Sequence, residues 1–316
     1  MMQGTIHVVR PGLLTTVQDL GRWGHQATGV PVAGPMDTFS HRLANLLVGN
    51  PPDAATLEIT LIGPELEFDT PAMIAVCGAE FDVAADGQAM IIGASYQLER
   101  GSRVQFGRRH TGARAYLAVR GGVLTPAVLG SRATHLVSGM GGWHGRALVA
   151  GDRLPMRASV ERIAARRAMG LTLPASNRAR LRLLPGAQAD WFEPSALQTL
   201  THVSFRVSPR SNRMGYRLAG PPLARKRTEE PISEPLAFGA LQVPTAGEPI
   251  LLMADRQTAG GYPKIASVIA ADLPVAAQLA PGDSIEFAFC SRHEAAAALI
   301  GRERPLLRLA DFDSRT

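Results

Sequence analysis

Four segments from the first half of the chain recur, in the same order, in the second half. This internal repeat limits the possible folds more than any other feature of the sequence. IHVVRPGLL (6–14) resembles LRLLPGAQ (181–188), and GPMDTFSHRLAN (34–45) resembles SPRSNRMGYRLAG (208–220), with a shared Arg-Leu-Ala. LEITLIGPELEF (57–68) lines up with SEPLAFGALQV (233–243), and QLERGSRVQF (97–106) with QLAPGDSIEF (278–287). The offset grows along the chain, as a few small insertions would make it. A chain of 316 residues is also too long for one ordinary core. The repeat therefore predicts two related domains, 1–170 and 171–316, with Gly63 and Gly239 in equivalent positions. GARAYLAVRGGVLTPAVLGSRATH (112–135) has no clear counterpart and reads as an extra segment of the first domain. Residues 157–178 read as a linker, with a short helix over SVERIAARRA.

Local patterning points to β structure. TLEITLIGPELEFD and SIEFAF alternate apolar and polar residues, as half-buried strands do. Turns of the type ERGS, APGD and VAGDRL separate such runs, and 32 Gly and 23 Pro supply many more. One helix stands out, MDTFSHRLANLLVGN: Asp37 can cap it, Phe39, Leu43, Leu46 and Leu47 share a face, and Gly49 can end it. The expected class is mainly β, two tandem β-barrel domains with a few short helices, because closure is the natural answer for many short strands.

Several function classes are excluded. The formal charge is +6, but the Arg-rich stretch from Arg157 to Arg182 contains no aromatic residue, so it reads as solvated linker and not as a nucleic-acid surface. MMQGTIHVVRPGL is not an apolar leader and no run approaches membrane-spanning length. Cys77 (MIAVCG) and Cys290 (IEFAFC) read as small core residues, which fits a reducing cytoplasm. No P-loop, zinc-ligand spacing or Gly-x-Ser-x-Gly elbow is found, and the glycines of GMGGWHG (139–145) lack a strand–helix context. His25 and His135 are isolated, and a lone histidine is more often structural than a base.

Two stretches are dense in recognition chemistry. VSPRSNRMGYRLAGPPL (207–223) packs Arg210, Asn212, Arg213, Tyr216 and Arg217 between Pro209, Gly215 and Gly220. ADRQTAGGYPKIASVIAADLP (254–274) brings Asp255, Gln257, Gly260, Gly261, Tyr262 and Lys264. Planar Arg forks beside an Asn amide match an anion or a carboxylate. Gln242 and Gln257 add neutral donors, and adjacent glycines let backbone N–H groups approach a ligand. Among 33 basic residues only Lys226 and Lys264 are lysine, so Lys264 marks a place where a point charge is wanted. The structural alternative is a set of bridges from the arginines to Glu229, Glu230 and Glu234. In the first domain, Gln18, Asp19, Arg22, His25 and Asp37 lie on the glycine-rich loop TTVQDLGRWGHQATGVPVAGPMD, and a polar loop of this density reads as a binding surface.

VRPGLLTTVQDLGRWGHQATGVPVAGPMD, AYLAVRGG, VLGSRATH, SPRSNRMGYRLAG and ADRQTAGGYPKIA together resemble one family over about residues 5–290. It comprises the C component of the ATP-dependent 5-oxoprolinase complex, the kinase-inhibitor antagonist KipA, and the second half of the carboxyltransferase portion of urea carboxylase (allophanate hydrolase subunit 2). The resemblance implies two cyclophilin-like barrels and a heterodimer with a KipI-like B component. For a 5-oxoprolinase it also implies an A component, with ATP as co-substrate for opening 5-oxo-L-proline to L-glutamate. Carboxyl transfer from carboxybiotin and non-catalytic antagonism of a kinase inhibitor are the alternatives. The lysine contexts ARKRT and YPKIA do not match a biotin-attachment site, so any biotin is expected on another chain, and no metal is expected. For such substrates, Arg210 and Arg213 would clamp charge and Asn212 would orient an amide. Gln242, Gln257, Gly260 and Gly261 would complete the binding site. Asp255 would position or accept a proton, and Tyr262 and Lys264 would stabilise a developing oxyanion.

Overall fold

The computed structural model describes residues 3–158, 166–168 and 177–313. Most of the predicted linker helix (159–165 of 159–168) lies outside the described residues. The chain separates into two compact units. One comprises 1–22, 33–175 and 304–316, the other 23–32 and 176–303. Strand residues outnumber helical ones about two to one, 39% to 18%, so the mainly β expectation holds. Among the described residues no helix is long and apolar enough to cross a membrane.

The first unit contains β1 (Gln3–Arg10), β2 (Leu14–Gln18), α1 (Thr38–Leu47), β3 (Thr56–Thr60), β4 (Glu65–Phe68), β5 (Ala72–Ala85), β6 (Gln88–Met90), β7 (Ser95–Leu98), β8 (Arg103–Val119) and β9 (Arg153–Arg157). Its nine strands form one sheet curled into a half-barrel, in the order β2-β3-β8-β4-β1-β9, with β5 along β8 and β6 and β7 beside β5. Strand periodicity sorts the two faces. Ile74, Val76, Ala115, Leu117 and Val119 enter the core inside the curl. Met73, Ala75, Cys77, Tyr116 and Ala118 face outward and are covered by Phe39, Leu43, Leu46 and Leu47 of α1. The predicted helix is thus present with its predicted face. Asp37 Oδ1 accepts from the Ser40 N–H at 2.9 Å as the cap.

The second unit contains β10 (Arg178–Pro185), α2 (Pro194–His202), β11 (Phe205–Val207), β12 (Gly215–Ala219), β13 (Glu234–Pro235), β14 (Ala240–Gln242), β15 (Ile250–Leu252), β16 (Ala259–Gly260), β17 (Lys264–Val268), α3 (Leu273–Ala277) and β18 (Ser284–Phe289); α4 (Arg292–Asp313) starts in this unit, and its residues from 304 on are counted with the first. Seven strands close a barrel, β10-β17-β14-β15-β12-β11-β18. The closing pair β18–β10 is parallel and the others are antiparallel. β13 and β16 form a separate two-stranded ribbon.

The repeat is only partly a structural one. IHVVRPGLL and LRLLPGAQ both supply the opening strand of their unit, β1 and β10. GPMDTFSHRLAN and SPRSNRMGYRLAG do not correspond, because the first becomes α1 and the second a turn followed by β12. Nor are Gly63 and Gly239 alike. Gly239 has a left-handed φ of 87° that a side chain would strain. At Gly63 a Cβ would lie 2.2 Å from the Phe106 Cβ, so close packing excludes a side chain. Cys77 is buried as expected, whereas Cys290 is partly exposed.

Candidate functional site

The second-unit barrel builds a pocket on its outer face. Register explains why. Tyr216, Leu251 and Leu241 form one cross-strand row, and all three are buried in the core. The next row, Arg217, Ile250 and Gln242, therefore points to the opposite face. The turn before β12 adds Arg210, Asn212 and Met214 to this face. The β13–β16 ribbon and its flanks add Ser233, Leu236, Gly260, Gly261 and Tyr262, and Gln257 and Glu230 complete a cavity of about 610 Å³. At Gly260 a Cβ would sit 2.9 Å from the Leu236 Cδ1, so a side chain there would have to push the Leu236 side chain aside.

Seven sequence-predicted residues line this cavity: Arg210, Asn212, Gln242, Gln257, Gly260, Gly261 and Tyr262. They come from segments well separated in sequence, and barrel closure brings them together. Asn212 Oδ1 accepts from the Met214 N–H at 2.9 Å, which leaves its amide N–H groups for a ligand. Gln242 Nε2 donates to the Tyr262 carbonyl at 3.3 Å, which leaves its carbonyl oxygen as an acceptor. Arg210 makes a 3.4 Å contact with Glu248 in which both side chains are more than half exposed, a loose pairing that a ligand anion can replace. Glu230, the carboxylate of the lining, is held by Arg225 at 3.0 Å and by the Thr245 hydroxyl at 3.1 Å.

Arg213, Asp255 and Lys264 are not among the lining residues. Arg213 is 4% exposed and Asp255 2%. The guanidinium donates through Nε and Nη2 to the two Asp255 oxygens, each at 2.9 Å, and the Asp255 N–H donates to the Arg213 carbonyl at 2.8 Å. This buried fork ties the turn carrying Asn212 to the turn carrying Gln257, two edges of the cavity. Lys264 Nζ lies 2.6 Å from Glu234 Oε1, and Gln188 Nε2 donates to the same oxygen at 2.7 Å. The Lys264 ammonium, aided by Gln188, holds the Glu234 carboxyl below its ordinary range. That pair fastens the ribbon to the barrel. The bridges expected from the arginines to Glu229, Glu230 and Glu234 are therefore distributed differently. Asp255 takes Arg213, Arg225 takes Glu230, and Lys264 takes Glu234.

Arg217, Ser233 and Leu236 are among the lining residues that the sequence did not single out as ligand contacts. Strand alternation was the available signal for Arg217, since Tyr216 and Leu218 read as core and fix its outward direction.

Of the loop at 15–37, Gln18, Asp19, Arg22 and Asp37 lie in the first unit and do not form a comparable site, whereas residues 23–32 group with the second unit. Gln18, Asp19, Arg22 and Asp37 are all buried. Gln18 Nε2 donates to the Thr134 carbonyl at 3.1 Å, Asp19 accepts from the Ser131 hydroxyl and the Arg132 N–H, and Arg22 donates to the Ala133 carbonyl. At Gln18, Asp19 and Arg22 the expected binding surface is instead an internal brace for the 131–134 segment. Behind it, the Asp37 N–H donates to the Tyr116 hydroxyl at 2.8 Å, and Tyr116 donates to Glu58 at 2.7 Å. His41 is also wholly buried, and burial pushes its pKa down to about 4.

Comparison with known proteins matches residues 28–289 to the family described as the carboxyltransferase domain, subdomain A and B. The C component of the Escherichia coli K12 5-oxoprolinase is 40% identical over 305 residues, spanning 96% of this chain and 97% of that protein. The urea amidolyase of Saccharomyces cerevisiae is 34% identical over 301 residues, which is 89% of this chain but 16% of that protein. The crystal structure of the Kluyveromyces lactis urea amidolyase superposes with a TM-score of 0.89 at 32% identity, over 96% of this chain and 20% of that one.

Proposed function

The chain belongs to the carboxyltransferase-domain family, and from that premise we propose that it is the C component of an ATP-dependent 5-oxoprolinase complex. The observation that carries this reading is the end-to-end match to the corresponding component of the E. coli 5-oxoprolinase, which leaves almost nothing of either protein unaccounted for.

The pocket chemistry fits the substrate. 5-Oxo-L-proline has a carboxylate, a lactam N–H and C=O, and three apolar ring carbons. Arg210 and Arg217 supply charged donors for the carboxylate, while Asn212, Gln242 and Gln257 supply amide donors and acceptors for the lactam. Leu236, Ile250 and Leu252 provide apolar wall for the ring carbons. Tyr262, 45% exposed at the cavity, is the group best placed to donate to an oxyanion. The buried Arg213–Asp255 fork and the Lys264–Glu234 pair position these groups and do not touch the substrate.

The lining holds no uncommitted general base, because Glu230 is tied to Arg225. The reading therefore assigns substrate binding to this chain, and ATP and proton transfer to a KipI-like B component and an A component. The decisive experiment mixes the purified chain with the A and B components. Glutamate release should require 5-oxo-L-proline, ATP and all three chains. Turnover by this chain alone, or no turnover by the complete mixture, would reject the proposal.

A carboxyltransferase half acting on carboxybiotin is the second reading, favoured by the TM-score of 0.89 to the K. lactis urea amidolyase. Carboxyl transfer by a mixture inert on 5-oxoproline would promote it.

A further inference from the structure

A second cavity, of about 400 Å³, adjoins the first and shares Leu236 and Gln257 with it as a common wall. Its lining belongs wholly to the second unit, which includes residues 23–32. Trp23, Val32, Pro235, Leu236 and Phe238 make it largely apolar. Arg256 is the one charged side chain in the lining.

The state of Arg256 points to a ligand. Its Nε donates to the Leu236 carbonyl at 2.9 Å, and its guanidinium carbon lies 5.7 Å from the centre of the Phe238 ring. These contacts fix the plane of the fork, and the nearby Asp255 carboxylate offsets its charge only in part. Asp255, next to it in the chain, has both oxygens engaged by Arg213. Arg256 has no ion pair of its own among the described residues, and burial pushes its pKa below the ordinary arginine value. The Asp255 carboxylate acts on Arg256 only through space while it is forked by Arg213, so one negative charge serves two buried or half-buried guanidinium groups and an arriving anion would relieve the excess. Trp23 is 62% exposed, a large indole at the rim of a cavity that already has a Phe wall.

We propose that this cavity binds a small aromatic carboxylate, with its ring against Trp23 and Phe238 and its carboxylate on the Nη groups of Arg256. Flat apolar walls select a planar ring, and aromatic contacts reward it beyond simple burial. A single cation selects one negative charge, which favours a monoanion over polyphosphates. The fork geometry favours a carboxylate, which it can meet through two N–H groups. The proposal does not depend on what the first cavity binds.

Calorimetric titration of the full chain with indole-3-carboxylate tests it, with indole-3-carboxamide as the uncharged control. The wild type should show saturable 1:1 binding. The carboxamide and the Arg256→Gln variant should each weaken binding about tenfold or more, the loss of a charge-assisted pair. Trp23→Ala should weaken it about three- to tenfold. Arg256→Lys, which keeps the charge and guards against a folding defect in the Gln variant, should retain part of the affinity. Arg217→Ala, in the first cavity, should leave binding unchanged. Absence of saturation at millimolar ligand, equal binding of the carboxamide, or loss of binding in Arg217→Ala would each overturn the proposal.

Discussion

The glycine-rich loop at 15–37 and the stretch at 207–220 use the same vocabulary, with arginines, amides and a carboxylate or hydroxyl set among glycines, but they end in opposite states. In the first, Gln18, Asp19, Arg22 and Asp37 are buried, and backbone groups of the 131–134 segment or the start of α1 meet them. In the second, Arg210, Asn212 and Arg217 lie on an open cavity wall. The difference comes from what packs over each. Neighbouring chain covers Gln18, Asp19, Arg22 and Asp37 and supplies their hydrogen-bond partners, whereas the second stretch lies on the outer face of a closed barrel under a ribbon only two residues wide per strand. Polar density in a sequence marks a place where hydrogen bonds must be made. Whether the partner is the protein or a ligand depends on the neighbouring chain.

One residue crosses that divide. Arg213 sits inside the open cluster but behaves like the buried loop. Arg213→Ala or Asp255→Ala should destabilise the second unit by about 3–5 kcal/mol in urea unfolding, because each leaves a buried charge unpaired. The double variant Arg213→Met, Asp255→Leu should recover much of that loss. A loss below about 1 kcal/mol in the single variants would show that Arg213 belongs with the cavity residues after all.

The buried side of the comparison also has a pH signature. His41 is neutral in the folded state. Its Nδ1 lies 2.9 Å from the Thr56 hydroxyl, and its pKa is about 4 against an ordinary 6.5. Between these values the unfolded chain holds the proton and the folded chain does not, so stability falls as the pH drops from 6.5 towards 4. The full shift corresponds to about 3 kcal/mol. Urea unfolding at pH 7 and pH 5 should show this slope in the wild type and a flatter one in His41→Asn. Equal slopes would place the acid sensitivity elsewhere.

On the open side, Arg210→Ala and Arg217→Ala should lower kcat/KM of the reconstituted complex for 5-oxo-L-proline by about 10- to 150-fold, from about 1.5–3 kcal/mol of lost charge-assisted bonding. Stability should change by only about 0.5 kcal/mol, as for exposed residues generally. A stability loss that accounts for the activity loss would erase the contrast between the two clusters.

The smallest effect is expected at the ribbon. Lys264→Met should cost about 1 kcal/mol or less, since Glu234 is partly exposed. It should also let the Glu234 carboxyl climb back towards its ordinary range, observable in an NMR titration. In the wild type this pair stabilises the fold above the ordinary glutamate pKa, and the contribution is lost as the pH falls through the lowered folded value. An unchanged Glu234 titration would remove the pair as the ribbon's fastening.

Much of the fold was legible because its signals are local. The helix at 38–47 declared itself through Asp37, its apolar face and Gly49, and the strands through alternation. The 22-residue α4 was missed, since Gly301 and Pro305 interrupt its pattern. Its start was nevertheless written as a capping box. The Glu294 N–H donates to the Ser291 hydroxyl at 3.1 Å, and the Ser291 N–H donates to Glu294 at 2.7 Å. Most of the polar lining of the cavity was legible as two stretches, 207–223 and 254–274, because Arg and carboxamide groups are concentrated there in sequence.

By itself, the sequence determined the strand and helix periods, the turn positions, the mainly β class, the family motifs and the residue types gathered for recognition. These depend on side-chain spacing within one element, which the chain carries wherever it goes. Tertiary structure decided which of those groups line the cavity. Arg213 and Arg217 are four residues apart, yet one is spent on Asp255 and the other lines the cavity. The choice rests on register across β12, β15 and β14 and on which carboxylate barrel closure carries to within 3 Å. Both are distances between segments far apart in sequence, and only the closed barrel sets them.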